Sequence, residues 1–275
     1  MYSASGKDGK FYAIKVFFFE KFCSDAKKAN EEAKHERKTI EGLNHKHLVN
    51  FVKFCDKSVI TMNDGEKRNC CYNVYELMSR GSLEENLKRR GPFNEEICRF
   101  YFKQIILGLT YFHDKGYAHR DVKPGNLLFD SEYTMKLGDF GIASRLEGKD
   151  FLVKDSWGTQ GFMAPECYEG EPYNGVEADL FASAIVLFKM CTGYIPFVTL
   201  DPRDNHPRTS LLQKGDFEEI LNSFEKRDKF PKLSSDLKDL LKQLLMWDVK
   251  DRIKFIDVLD HKWFKGKTAN RHDAV

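Results

Sequence analysis

The stretch that most constrains this chain is His119-Arg120-Asp121-Val122-Lys123-Pro124-Gly125-Asn126. It gathers one carboxylate, two cations, an imidazole and an amide around a Pro and a Gly that oppose helix continuation. The segment therefore reads as a polar loop of fixed shape. It follows Ile97–Phe112, an amphipathic run at helical spacing. Past it, behind the strand-like Thr134-Met135-Lys136-Leu137, stands Asp139-Phe140-Gly141, and further on Ala164-Pro165-Glu166. Upstream, Tyr12-Ala13-Ile14-Lys15 closes a short apolar strand. Each motif alone is weak, but their shared order and spacing make chance assembly negligible.

Two readings of the N-terminal part come from the residues themselves. Lys7-Asp8-Gly9-Lys10 is a turn between strand-like runs at Met1–Ser5 and Phe11–Phe18, and alternation puts Ala13 and Lys15 on one face. The charged run at 25–43 has a narrow apolar stripe of Ala29, Ala33, Ile40 and Leu43, with Glu36 in its middle. An unpaired carboxylate on a buried face is costly, so Glu36 needs a cation, and Lys15 is the expected one. Glu31, Glu32 and Glu41 fall beside the stripe and read as a solvated face. Strands are expected at Phe51–Val59 and Asn69–Leu77, joined at Asn63-Asp64-Gly65.

Composition excludes more than it assigns. Lys and Arg number 44 against 42 Asp and Glu, a net charge of +2, so neither a nucleic-acid surface nor a membrane surface is implied. Seven cysteines are scattered with no C-x-x-C pair, the pattern of buried free thiols rather than a zinc ribbon. The most apolar run, Leu180–Cys191, is too short to span a bilayer and carries Lys189, so a helix buried on all sides is expected.

The motif set resembles that of the eukaryotic-type serine/threonine protein kinases, specifically the calcium/calmodulin-dependent kinase group. The resemblance implies an α+β fold of two lobes. Residues 1–78 would form a small antiparallel β-sheet lobe with one helix, 79–266 a larger and mainly α-helical lobe, and 267–275 a short polar tail. It implies transfer of the γ-phosphate of ATP, with Mg2+, to Ser or Thr hydroxyls of protein substrates, in a monomer of the cytoplasm or nucleus. By the same resemblance Asp121 is the catalytic base and Lys123 neutralises charge on the moving phosphoryl group. Asn126 and Asp139 hold magnesium, Lys15 and Glu36 pair, and Thr159 contacts Asp121 and Lys123. Ala13 and Leu128 would sandwich adenine, Glu76-Leu77-Met78 would be the hinge, and Tyr75 would narrow the space behind the base. His119 and Phe140 would stack with Ile40, Glu166 would pair with Arg252, and Asp179 would brace the catalytic loop. Phe181, Ala182 and Ala184 depart from the family's usual Trp, Ser and Gly.

The family's Gly-rich loop has no counterpart in the chain, and Met1 stands where its closing valine would be. A fragment or misplaced start is one account. A degenerate, weakly active or inactive kinase-fold scaffold is the other, and the undisturbed downstream residues favour the first. In the loop between Asp139 and Glu166, Asp155 occupies the slot of a regulatory phosphothreonine. It is expected to offer Arg120 a fixed carboxylate, with Ser156 as the rival phosphosite and an ordinary solvated aspartate as the plain alternative. Gly125 and Ser82 stand where basic-directed kinases carry Glu, so no preference for arginine in the substrate is implied.

Overall fold

The computed structural model describes residues 1–19 and 23–271. Strands β1 (Tyr2–Ser5), β2 (Phe11–Phe18), β3 (Phe51–Thr61) and β4 (Lys67–Glu76) form one antiparallel sheet in the order β1-β2-β4-β3. The register sets Ala13 opposite Tyr75 and Lys15 opposite Asn73. Helix α1 (Cys23–Ile40) covers this sheet, and the buried Asn73 side chain donates to the carbonyl of Ala33 at 3.1 Å. The helix ends at Ile40 rather than 43, because Glu41-Gly42 turns the chain and Gly42 takes a positive φ of 83°. The small lobe thus has the expected single helix on an antiparallel sheet, with β1 at its edge.

The large lobe opens with α2 (Leu83–Arg90) and α3 (Glu95–Asp114), followed by the short strands β5 (Tyr117–Ala118), β6 (Leu127–Phe129) and β7 (Met135–Leu137). Helix α2 starts in a reciprocal capping box between Ser82 and Glu85, and α3 is capped by Asn94. Helix α4 (Gly175–Thr192) is buried along nearly its whole length, as an apolar run without a polar face requires. Helices α5 (Pro207–Gln213), α6 (Phe217–Glu225) and α7 (Ser235–Leu244) close the lobe. Helix α7 stops at Leu244, short of the expected Asp248, and buries Leu237, Leu240, Leu241 and Leu244 on one face.

Gly108 lets α3 approach the small lobe's segment between α1 and β3: a Cβ there would stand 2.8 Å from the carbonyl oxygen of His47. Residues 267–271 are not a free tail. The amide of Ala269 donates to the Glu96 carbonyl at 3.1 Å, Ala269 is buried, and Arg271 pairs with Glu132 at 2.5 Å. Their polar composition hid this docking, which is made by backbone groups and two ion pairs, the second between Lys267 and Glu96 at 3.0 Å. Of the described cysteines, Cys70, Cys71, Cys98, Cys167 and Cys191 are buried and all are free. No described helix is long and apolar enough to cross a membrane.

Candidate active site

The loop from His119 to Asn126 is held from below by one carboxylate. Asp179, on the buried α4, accepts from the amide of His119 at 2.7 Å through Oδ2 and from that of Arg120 at 2.7 Å through Oδ1. His113 Nε2, at the end of α3, lies 2.8 Å from the same Oδ2. These bonds fix a backbone that would otherwise relax, since Arg120 sits at a φ of 66°, uncommon for a residue with a side chain. Sequence reasoning found Asp179 but missed His113. Its only signal is a histidine at the end of an apolar-faced helix.

Above this brace the side chains of Asp121, Lys123, Asn126 and Thr159 converge. Asp121 Oδ1 accepts from the Thr159 hydroxyl at 2.6 Å, and Asp121 Oδ2 lies 2.7 Å from Lys123 Nζ. Lys123 Nζ also donates to Thr159 Oγ1 at 2.8 Å. Asn126 turns its Nδ2 to Asp121 Oδ2 at 2.9 Å, which leaves the amide oxygen for a cation. Lys15, Glu36 and Asp139 make a second cluster. Lys15 Nζ is 3.0 Å from Glu36 Oε2 and 2.6 Å from Asp139 Oδ1, so one ammonium joins the sheet, helix α1 and the large lobe. Glu36 is 1% exposed, which confirms that the single acid on the apolar stripe is the one that needs a partner.

Electrostatics follow from this packing. Burial pushes the Glu36 carboxyl above its usual range, with the Lys15 charge opposing. For Lys15, burial pulls the pKa down, but Glu36 and Asp139 outweigh it and hold the amine charged. For Asp139, burial works upward, and the neighbouring Lys15 prevails and lowers the pKa. The three groups and Asp121 line an open cleft of about 550 Å³ between α1 and the 139–157 segment.

The residues that the resemblance assigns to the nucleotide lie on the sheet and at the start of the large lobe. Ala13 and Leu128 are both partly buried against the core. Tyr75 is 5% exposed, and burial and nearby Glu36 push its phenol well up. Met78 packs on the core, and Glu76 is anchored by its side chain, which accepts from the Asn50 amide at 2.7 Å and from Lys136 Nζ at 2.8 Å. Lys136 is a second residue that sequence reasoning did not find, being one lysine in a short buried strand. His119 stacks edge-on against Phe140 with centroids 5.4 Å apart, and both are buried, as is Ile40. Glu166 and Arg252 form a bidentate pair at 2.8 and 3.1 Å, and Arg252 lies over the ring of Phe181, 4.8 Å from its centroid.

One expectation is corrected. Arg120 meets Asp155 through the backbone: Nη1 donates to the Asp155 carbonyl at 2.9 Å, and Nε to the Ile142 carbonyl at 2.8 Å. Tyr173 donates its hydroxyl to the same Asp155 oxygen at 3.2 Å. The residue's carbonyl is turned inward and the residue itself is exposed, so its carboxylate does not stand in for a phosphate. The Ser156 hydroxyl is bonded to the Cys167 carbonyl. Asp155→Ala keeps every one of these backbone contacts. It is therefore expected to change the transfer rate after phosphatase treatment by less than about twofold, the scale of an exposed charge contact. A larger loss would restore the carboxylate role.

A carboxylate and an amide oxygen suit a hard, oxygen-seeking cation that takes its other ligands from phosphate and water. Among the described residues no group of three or more His, Cys, Asp or Glu could hold a metal by itself. Asp139 and Asn126 therefore fit a magnesium site completed by a nucleotide, not a closed metal cage.

Two lobes, with an ammonium and oxygen donors converging on the cleft between them, define a chain built to handle a polyphosphate and a hydroxyl together. The chain belongs to the protein kinase domain family, whose model matches residues 2–264. That family uses ATP and Mg2+. The chain is similar to serine/threonine-protein kinase GIN4 of Saccharomyces cerevisiae, 38% identical over 69% of this chain and 16% of that protein. It is similar to serine/threonine-protein kinase CHK1 of Mycosarcoma maydis, 34% identical over 70% of this chain and 28% of that protein. It is also similar to CBL-interacting serine/threonine-protein kinase 9 of Arabidopsis thaliana, 29% identical over 96% of this chain and 54% of that protein. The chain thus spans from about a sixth to about half the length of these relatives.

Proposed function

We propose that the chain is a protein serine/threonine kinase that transfers the γ-phosphate of ATP to hydroxyls of protein substrates. The observation that carries this reading is the Asp121, Lys123 and Thr159 triangle, with all three contacts between 2.6 and 2.8 Å. Asp121 orients the acceptor hydroxyl and takes its proton. Lys123 stabilises the charge on the group in flight, and Thr159 fixes the geometry of both. Lys15, positioned by Glu36, binds the nucleotide's phosphates, while Ala13 and Leu128 enclose the base. Magnesium, when bound through Asp139 and Asn126, supplies charge neutralisation on the phosphates. The lysine two residues after Asp121 and the names of the relatives support Ser/Thr rather than Tyr as acceptor. The balanced charge supports no nucleic-acid or membrane partner. The scattered cysteines without a C-x-x-C pair support a reducing compartment such as the cytoplasm or nucleus, and we propose a monomer.

The test is phosphate transfer from ATP to a mixed peptide substrate, wild type against Asp139→Asn. Equal rates would discard the enzyme in favour of a kinase-fold scaffold. Lys15→Met removes the ammonium and leaves Glu36 buried without its cation. It is expected to lower kcat/KM by about 10²- to 10³-fold, the scale of losing one preorganised charge contact. Steady-state kinetics at varied ATP would show it.

A further inference from the structure

Two arginines on the large lobe share one aromatic ring. The guanidinium of Arg208, on α5, lies 4.5 Å from the centroid of Phe224, and that of Arg227, just past α6, lies 4.9 Å from it. Arg227 is also 4.9 Å from the ring of Tyr194, which is 37% exposed. Among the described residues neither guanidinium has a carboxylate within ion-pair distance; Arg208 Nη1 donates instead to the Pro196 carbonyl at 2.8 Å. The surrounding sequence, Lys226-Arg227-Asp228-Lys229-Phe230-Pro231-Lys232, has four cations against one acid. Burial, and then the charge of Arg227, push the Arg208 pKa down, so the pair is held together against its own repulsion. Contact with Phe224 and Tyr194 holds the two guanidinium groups in place, and the N–H groups that the Pro196 carbonyl does not take can grip an oxyanion.

The patch adjoins the substrate side of the site. A Cβ at Gly161 would stand 3.4 Å from the carbonyl oxygen of Phe197 and 3.5 Å from that of Val198. The segment that Arg208 grips at Pro196 therefore backs the run from Thr159 to Glu166, whose first residue is bonded to Asp121.

We propose that Arg208 and Arg227 form an oxyanion subsite that captures a phosphate or carboxylate on the protein substrate, beside the acceptor segment. The proposal rests on the reading of the chain as a protein kinase. It gives that kinase a preference for acidic or already phosphorylated substrates, a chemistry opposite to arginine-directed selection.

Titration calorimetry at low salt tests the subsite without turnover. The probes are a short Gly/Ala peptide bearing phosphoserine and its aspartate and serine counterparts, against wild type, Arg227→Gln and Arg208→Lys. The phosphoserine peptide is expected to bind wild type and to bind Arg227→Gln about tenfold more weakly, the scale of losing one charge-assisted contact. Serine should bind least, and aspartate binding close to phosphoserine would assign a carboxylate as the natural group. In transfer assays the ratio of kcat/KM for an acidic over a neutral peptide should fall about tenfold in Arg227→Gln, with KM for ATP unmoved. Arg208→Lys, which keeps the charge but loses the planar fork, should fall between. Equal binding of phosphoserine and serine peptides, or equal binding to wild type and a folded Arg227→Gln, overturns the subsite. A wild type that binds phosphoserine through Arg227 yet transfers no phosphate overturns the kinase reading and leaves the subsite standing.

Discussion

Asp121→Asn is expected to lower kcat by about 10²- to 10⁴-fold, the range for removing a general base. The substitution keeps the side chain's size. It also keeps one oxygen that can accept from the Thr159 hydroxyl, 2.6 Å away in the wild type. It removes the charge that faces Lys123 at 2.7 Å and the acceptor of the substrate's proton. Because Asp121 is far from Ala13 and Leu128 in function, the KM for ATP should move little. Single-turnover measurements at saturating ATP would separate the chemical step from product release. A kcat within threefold of wild type would remove Asp121 from the role of base and leave it as a brace for Lys123 and Asn126.

Glu166→Ala is expected to destabilise the fold by about 3–5 kcal/mol, the cost of leaving one half of a buried ion pair alone. Arg252 is 2% exposed and Glu166 meets it with both oxygens, at 2.8 and 3.1 Å. With the carboxylate gone, the guanidinium keeps the carbonyls of Glu177 and Met246 and the face of Phe181. For a chain of this size the loss corresponds to a fall in Tm of roughly 10 °C. Thermal unfolding followed by circular dichroism would measure it. The double replacement Glu166→Leu with Arg252→Met should lose less than Glu166→Ala alone, since it leaves no unpaired charge. If Glu166→Ala melted within a degree of wild type, the pair would be spectator chemistry in this lobe.

The site was legible because its chemistry sits in short, contiguous motifs. Asp121, Lys123 and Asn126 lie within one loop, and Asp139 follows one short strand. Glu36 could be matched to Lys15 across 21 residues because, among the described residues of α1, it is the acid that falls on the buried stripe, and a buried acid must find a cation. The helix and strand types were legible from composition: α4 has no polar face, and β2 is a short apolar run behind the Asp8-Gly9 turn. Bounds were less so. Helix α7 ends four residues early because the pattern of its apolar residues outlasts its hydrogen bonds.

The amino-acid order alone determined the two-lobed α+β class, the identity of the converging side chains and the pairing of Lys15 with Glu36. Only the tertiary structure decided which atom of Asp155 faces Arg120, since the backbone conformation chooses between carbonyl and carboxylate without changing one letter. It likewise decided that His113 meets Asp179 across 66 residues, and that Arg208 and Arg227 share the ring of Phe224. Such contacts carry no periodicity and no local motif. They arise when packed elements bring distant side chains to one place, and burial then fixes which polar atoms must satisfy one another.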